Sequence, residues 1–164
     1  MYYKIGTDTR GIRFLATLKV NGETDKDIVS SNAFQTGMLI CTEDSYYTDL
    51  EENVTLEKVG PDHPMLVNAA NTTDKTKKWM TNRPGSFACG VVNIQDHNIT
   101  RNFMARGYVM VNFVGEDNPE VVYGNVTYPY SIQWIAEQVY NDKDAYDNLP
   151  DWKRDIVDYC KDYE

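Results

Sequence analysis

The chain has 164 residues, 41% of them hydrophobic and 25% charged, with a formal net charge of −9. That length suits one domain, spanning 1–164, and that apolar content excludes a disordered chain. The acidity disfavours a nucleic-acid binder, whose affinity rests on Lys and Arg against phosphates, and no apolar run reaches the ~18 residues that suggest a membrane span.

The opening stretch MYYKIGTDTRGIRF has no apolar run after a basic start, so no secretory leader is expected. Residues 13–20, RFLATLKV, set Phe14, Ala16, Leu18 and Val20 against Arg13, Leu15, Thr17 and Lys19, a strand pattern. Asn21-Gly22 follows at once as a two-residue hairpin signal. The return arm, ETDKDIVS, is weak as a strand, which leaves a short helix as the other reading. GMLICT (37–42) reads as a buried strand and VTLEKV (54–59) as an alternating one. GPDHP (60–64) is a loop by its glycine and prolines.

In PMLVNAANTTDKTKKWM (64–80), Leu66, Val67 and Ala69 are packing residues, and Thr72 or Thr73 caps a helix that runs to about Met80. SFACGVVNI (86–94) is a strand with Gly90 at a candidate bulge. GYVMVNFV (107–114) and VVYGNVTYPY (121–130) form a hairpin around the turn GEDNPE. SIQWIAEQVY (131–140) is a helix capped by Ser131, with Ile132, Ile135, Ala136 and Val139 on one face. A last helix restarts near Pro150, with Trp152, Ile156, Tyr159 and Tyr163 as its core stripe. Strands first and helices last predict an α+β fold: a mainly antiparallel sheet from residues 1–130, a short central helix, and two C-terminal helices packed on the sheet.

Signatures of chemistry are sparse. There is no Gly-rich phosphate loop, no H-E-x-x-H and no C-x-x-C, so neither a cofactor nor a metal is expected. Cys41, Cys89 and Cys160 are odd in number and far apart, which fits a reduced interior. Cys89 has two readings: a nucleophile helped by His97, or a small thiol buried in a strand, which its apolar neighbours favour. His63 and His97 each follow an Asp, an arrangement that orients an imidazole when the pair is enclosed and does little in an exposed loop. The sequons at Asn53, Asn71, Asn98 and Asn125 have no secretion signal to accompany them. The twelve tyrosines against five phenylalanines suit half-wet binding faces and half-buried strands alike.

The charges are not evenly spread. A basic middle segment holds Lys75, Lys77, Lys78 and Arg83 between acidic flanks. The acids gather at Glu43, Asp44, Asp49, Glu51 and Glu52, and on the last helix at Asp151, Asp155, Asp158 and Asp162. The latter four stand on one helical face. Asp is a poor interior helix residue and like charges at this spacing repel, so the row is either a solvated face or a docking row.

The segment Val67-Asn68-Ala69-Ala70-Asn71 resembles the VNAAN motif of macro domains. The resemblance implies ADP-ribose or nucleotide binding or hydrolysis, with Asn71 at the distal ribose and Asn68 shaping the loop. VVYGNVTYP (121–129) is similar to that family's later phosphate loop, with Gly124 as its glycine. The likeness covers some ten residues, and the glycine-rich stretch that follows the motif in macro domains is replaced here by TTDKTKKWMTN. The expectation taken forward is a small acidic binding or assembly protein without catalytic activity. Its setting would be cytoplasmic and virus- or phage-encoded, as a virion component or an inhibitor of a host protein. Its partner would be a protein with a basic surface or a second copy of the chain, with no membrane contact; the macro-like nucleotide site is the alternative.

Overall fold

The computed structural model describes residues 11–20, 23–24, 34–70, 85–111, 113, 115 and 117–164. The elements in chain order are β1 (Ile12–Thr17), β2 (Lys19–Val20), β3 (Glu23–Thr24), β4 (Phe34–Thr42), α1 (Glu43–Thr48), β5 (Val67–Ala70), β6 (Ser86–Val91), β7 (Phe103–Val111), β8 (Glu120–Val126), α2 (Ile132–Asn141), α3 (Lys143–Asp147) and α4 (Asp151–Lys161). Every strand pair is antiparallel. The fold is α+β: a four-stranded sheet in the order β5-β4-β7-β8, a β1-β6 ribbon and a β2-β3 ribbon. Val20 pairs with Glu23 and Lys19 with Thr24, so the first two residues of the return arm are a strand, and the rest of it lies outside the described residues.

Alternation along the two central strands separates two cores. Met38 and Ile40 of β4 and Phe103 and Ala105 of β7 pack with Ile12 and Phe14 of β1, Phe87 and Cys89 of β6, and Ile135, Ala136, Val157 and Cys160 of the C-terminal helices. On the opposite face Leu39, Cys41, Met104 and Tyr108 pack with Leu50, Val54 and Leu66 from the chain between α1 and β5. Each helix start is set locally. The Trp134 N–H donates to Ser131 Oγ at 3.1 Å, and the Ala145 N–H donates to Asp142 Oδ1 at 3.1 Å. Pro150 precedes the first turn of α4, where a missing N–H costs nothing.

Four expectations are corrected. Residues 54–59 are no strand: a 3₁₀ turn occupies Leu56–Lys58. The Leu56 N–H there donates to the Tyr123 hydroxyl at 3.0 Å, and the Val54 carbonyl accepts from Arg106 Nη1 at 2.9 Å. Side chains from β7 and β8 thus take backbone groups that a ladder would use. Gly90 pairs regularly with Arg13, and the sheet irregularity lies at Arg106/Tyr108 instead. Glycine at position 90 serves close approach, because a Cβ would stand 2.9 Å from the Ile12 carbonyl oxygen. On α4, Val157 and Cys160 are buried with Ile156 beside them, while Trp152 and Tyr159 are 40% and 49% exposed. Of the expected stripe, Ile156 and Tyr163 pack on the core, whereas Trp152 and Tyr159 are turned out. Finally, α1 and α3 are additional short helices, both opened by side-chain caps. The helix expected at 72–80 lies outside the described residues.

One cross-strand contact fixes the register of the main sheet. Gly37 and Tyr108 are partners across β4 and β7. A Cβ on Gly37 would stand 2.3 Å from the Tyr108 ring, so the ring lies over the glycine. Its hydroxyl then donates to Asn68 Oδ1 on β5 at 2.9 Å. Gly37→Ala is expected to destabilise by about 2 kcal/mol through overpacking. Tyr108→Phe is expected to cost about 1 kcal/mol, the net worth of the hydrogen bond it removes. Urea denaturation measures both, and a neutral Gly37→Ala would contradict the contact.

Candidate functional site

The carboxylates singled out in the sequence fall on opposite faces of the main sheet. The first set belongs to α1 and the turn that follows it. Thr42 caps α1, its hydroxyl accepting from the Ser45 N–H at 3.3 Å, and Glu43 and Asp44 occupy the first turn, where the helix dipole favours negative charge. The Glu43 carboxylate accepts from Asn102 Nδ2 at 2.7 Å. The chain then turns sharply, with Glu51 at φ 47° and Glu52 at φ 62°, both in the left-handed region. For non-glycine residues that conformation costs on the order of 1 kcal/mol each.

Surrounding contacts hold the turn in place. The Glu52 N–H donates to the Tyr46 carbonyl at 2.8 Å, and the Asn53 N–H donates to the Leu50 carbonyl at 2.8 Å. Leu50 is fully buried between them. The turn therefore presents Asp44, Asp49, Glu51 and Glu52 to solvent beside Tyr47, which is 55% exposed. Among the described residues, no ion pair neutralises any carboxylate of this set.

The row on α4 is different. Asp151 pairs with Arg154 on the same helix. Lys161 Nζ lies 2.6 Å from Asp162 Oδ2. Asp158 accepts from the Tyr146 hydroxyl at 2.7 Å, which joins α3 to α4. Three of the four carboxylates thus have a partner of their own, and Asp155 is exposed. The Tyr146 hydroxyl has its pKa pushed up to about 12, chiefly by its hydrogen bond to Asp158 and then by desolvation.

The macro-like positions do not converge among the described residues. Asn68 lies on β5 and is held by Tyr108, and Gly124 lies on β8. These are the two outer strands of the sheet, three strand spacings or roughly 14 Å apart. Asn71 and the basic cluster Lys75, Lys77, Lys78 and Arg83 lie outside the described residues. Cys41, Cys89 and Cys160 are buried. Burial pushes the Cys41 and Cys89 thiols up to about 11, which keeps both protonated near neutrality and poor as nucleophiles. His97 is exposed, with Nε2 3.1 Å from Asn98 Nδ2. Among the described residues no group of three His, Cys, Asp or Glu is placed to hold a metal ion, and no helix is long and apolar enough to cross a membrane.

A cleft of about 300 Å³ lies between β1 and the β7-β8 hairpin. Phe14 to Leu18 form one wall, Val122 to Asn125 the other, and Gly107 lies on its floor. None of its lining residues is charged. Its only sequence trace is the pair Gly107 and Gly124, which come within reach of each other solely through the strand pairing.

No family model, no curated protein and no solved structure matches the chain.

The Tyr146–Asp158 contact gives a pH signature. Because the folded-state pKa of Tyr146 is raised, its contribution is present below the ordinary tyrosine pKa of ~10 and is lost as the pH rises through about 12. Burial also raises Tyr46 and Tyr108, so ultraviolet titration should show one late-ionising tyrosine fewer in Tyr146→Phe than in the parent chain. An unchanged titration curve in that variant would remove the contact from the account.

Proposed function

We propose that the chain is a small acidic binding or assembly protein, without catalytic activity, that docks on the basic surface of a partner protein. The observation that carries this reading is the surface of Asp44, Asp49, Glu51 and Glu52, with Glu43 beside it, to which no ion pair is made among the described residues. Two consecutive left-handed glutamates cost stability, and strain of this kind concentrates at functional positions. Clustered carboxylates repel one another, and a cationic partner relieves that repulsion while steering encounter. Tyr47 adds an exposed aromatic face on which Lys or Arg can stack.

The α4 row takes second place, because Asp151, Asp158 and Asp162 are already engaged with groups of their own chain. Asp155 remains an outward charge that extends the acidic field. A virus- or phage-encoded factor, acting as a virion component or as an inhibitor of a host protein, is the setting this reading suits.

Octa-arginine serves as a probe of chemistry in place of the natural partner. Titrated at low salt into the labelled chain, it should shift the amides of residues 43–52 first. Combining Asp44→Asn, Asp49→Asn, Glu51→Gln and Glu52→Gln should weaken binding at least tenfold. Neutralising Asp151, Asp155 and Asp162 should weaken it less than threefold. The reverse ranking, or equal shifts over the whole acidic surface, would overturn the assignment. Light scattering at low and high salt reads self-association, the other outcome.

A further inference from the structure

Tyr140, Lys143 and Tyr146 stand three apart in the chain, across the join of α2 and α3. The two tyrosine rings meet edge to face, with centroids 5.1 Å apart and planes at 72°, and so form a corner. Both rings rest on the first core, and α4 holds each of them. Asp158 Oδ2 accepts from the Tyr146 hydroxyl at 2.7 Å. Lys161 Nζ lies 4.4 Å from the centre of the Tyr140 ring.

Two ammonium groups of the chain's own already sit at this corner. Lys161 is built in: its side chain is only 17% exposed, and Asp162 meets its charge. Lys143 is held more loosely. It is exposed and forms no ion pair among the described residues. Its Nζ lies 4.5 Å from the Tyr140 ring centre and 6.0 Å from that of Tyr146. A cation over a ring at an exposed site is weakly bound, so Lys143 is a displaceable occupant. The surroundings favour positive charge. Asp142, Asp144 and Asp147 are exposed along α3 and its cap, and none of them has an ion pair among the described residues.

We propose that this corner binds a quaternary ammonium group, that of a trimethylated lysine in a partner protein, and that Lys143 plugs it in the free chain. The face of an aromatic ring attracts positive charge through its quadrupole. A trimethylammonium group has no N–H to leave unpaired against a ring, whereas a plain ammonium gives up hydrogen bonds to water there. The corner thus distinguishes the methylated side chain from lysine itself, which the acidic turn on α1 has no means of doing. A side chain is favoured over a free ion of the same chemistry, because Lys143 is exposed where it sits and the corner is open on that side. A small ion would leave much of its surface in water, while a lysine carries the rest of its peptide past Asp144 and Asp147. The corner belongs to the C-terminal helices, so it stands or falls independently of the acidic turn.

The test titrates the full labelled chain with three capped heptapeptides of Gly and Ser around one central residue. That residue is trimethyl-lysine, lysine, or the neutral isostere in which carbon replaces the quaternary nitrogen. The trimethyl-lysine peptide should shift the amides of residues 140–147 and bind at least fivefold more tightly than the other two. Lys143→Ala removes the plug and should tighten binding at least threefold. Tyr140→Leu removes one wall and should weaken it at least tenfold. If Tyr140→Leu does not fold, Lys143→Ala and the isostere give the answer. Equal binding of the isostere or of plain lysine, no shift at 140–147 with millimolar peptide, or weaker binding in Lys143→Ala would overturn the proposal. Choline is the fourth probe, and choline binding as tight as that of the peptide would overturn the assignment to a lysine side chain.

Discussion

The Tyr108 ring over Gly37 is the constraint on which the sheet depends. A tyrosine reaching across a neighbouring strand needs a position without a side chain beneath it, and β4 offers one opposite β7. A one-residue slip would put a side chain under the ring and turn the alternating Met38, Leu39, Ile40 and Cys41 towards the wrong cores. The hydroxyl then fixes the third strand through Asn68. Three strands are aligned by one side chain, and both layers of core are laid down on the frame they form.

The two faces of that frame are finished differently. The second core is closed by irregular chain, held by side chains from the sheet: Arg106 donates to the Val54 and Gly124 carbonyls, and Tyr123 accepts from Leu56. The donors of Arg106 thus serve the fold. The same irregular chain carries the strained acidic turn, whose geometry depends on Leu50 being anchored in that core. The first core is closed by two strands and by the C-terminal helices, and the cleft lies where neither reaches. The acidic turn and the cleft therefore both lie where the described regular secondary structure stops covering the sheet.

The elements with local punctuation were legible in the sequence. Ser131 and Pro150 mark their helices, and the 107–130 hairpin shows its turn residues. Helix α1 carries a signal too, a threonine cap followed by Glu43 and Asp44, but six residues give no apolar period to support it. The alternation in 54–59 misled because period two records side-chain spacing, whereas a ladder also needs a neighbouring strand. Trp152 and Tyr159 misled in a similar way: helical spacing shows which residues share a face, and the packing against α2 selected the face with Val157 and Cys160. The acidic sets were visible as composition. The pairing of Asp151 with Arg154 and of Asp162 with Lys161, the hydrogen bond from Tyr146 to Asp158, and the lack of an ion pair to the first set among the described residues all depend on geometry. The cleft was invisible, since it is built from strand edges and from two glycines brought together by pairing.

Residue-resolved amide exchange tests the account most directly, namely that among the described residues β1 is paired along one edge only. The account predicts alternating protection along β1, with Ile12, Phe14 and Ala16 exchanging slowly and Arg13, Leu15 and Thr17 exchanging quickly, beside uniformly slow amides in the middle of β4 and β7. Uniform protection along β1 would contradict it, because the edge would then already be paired within the chain.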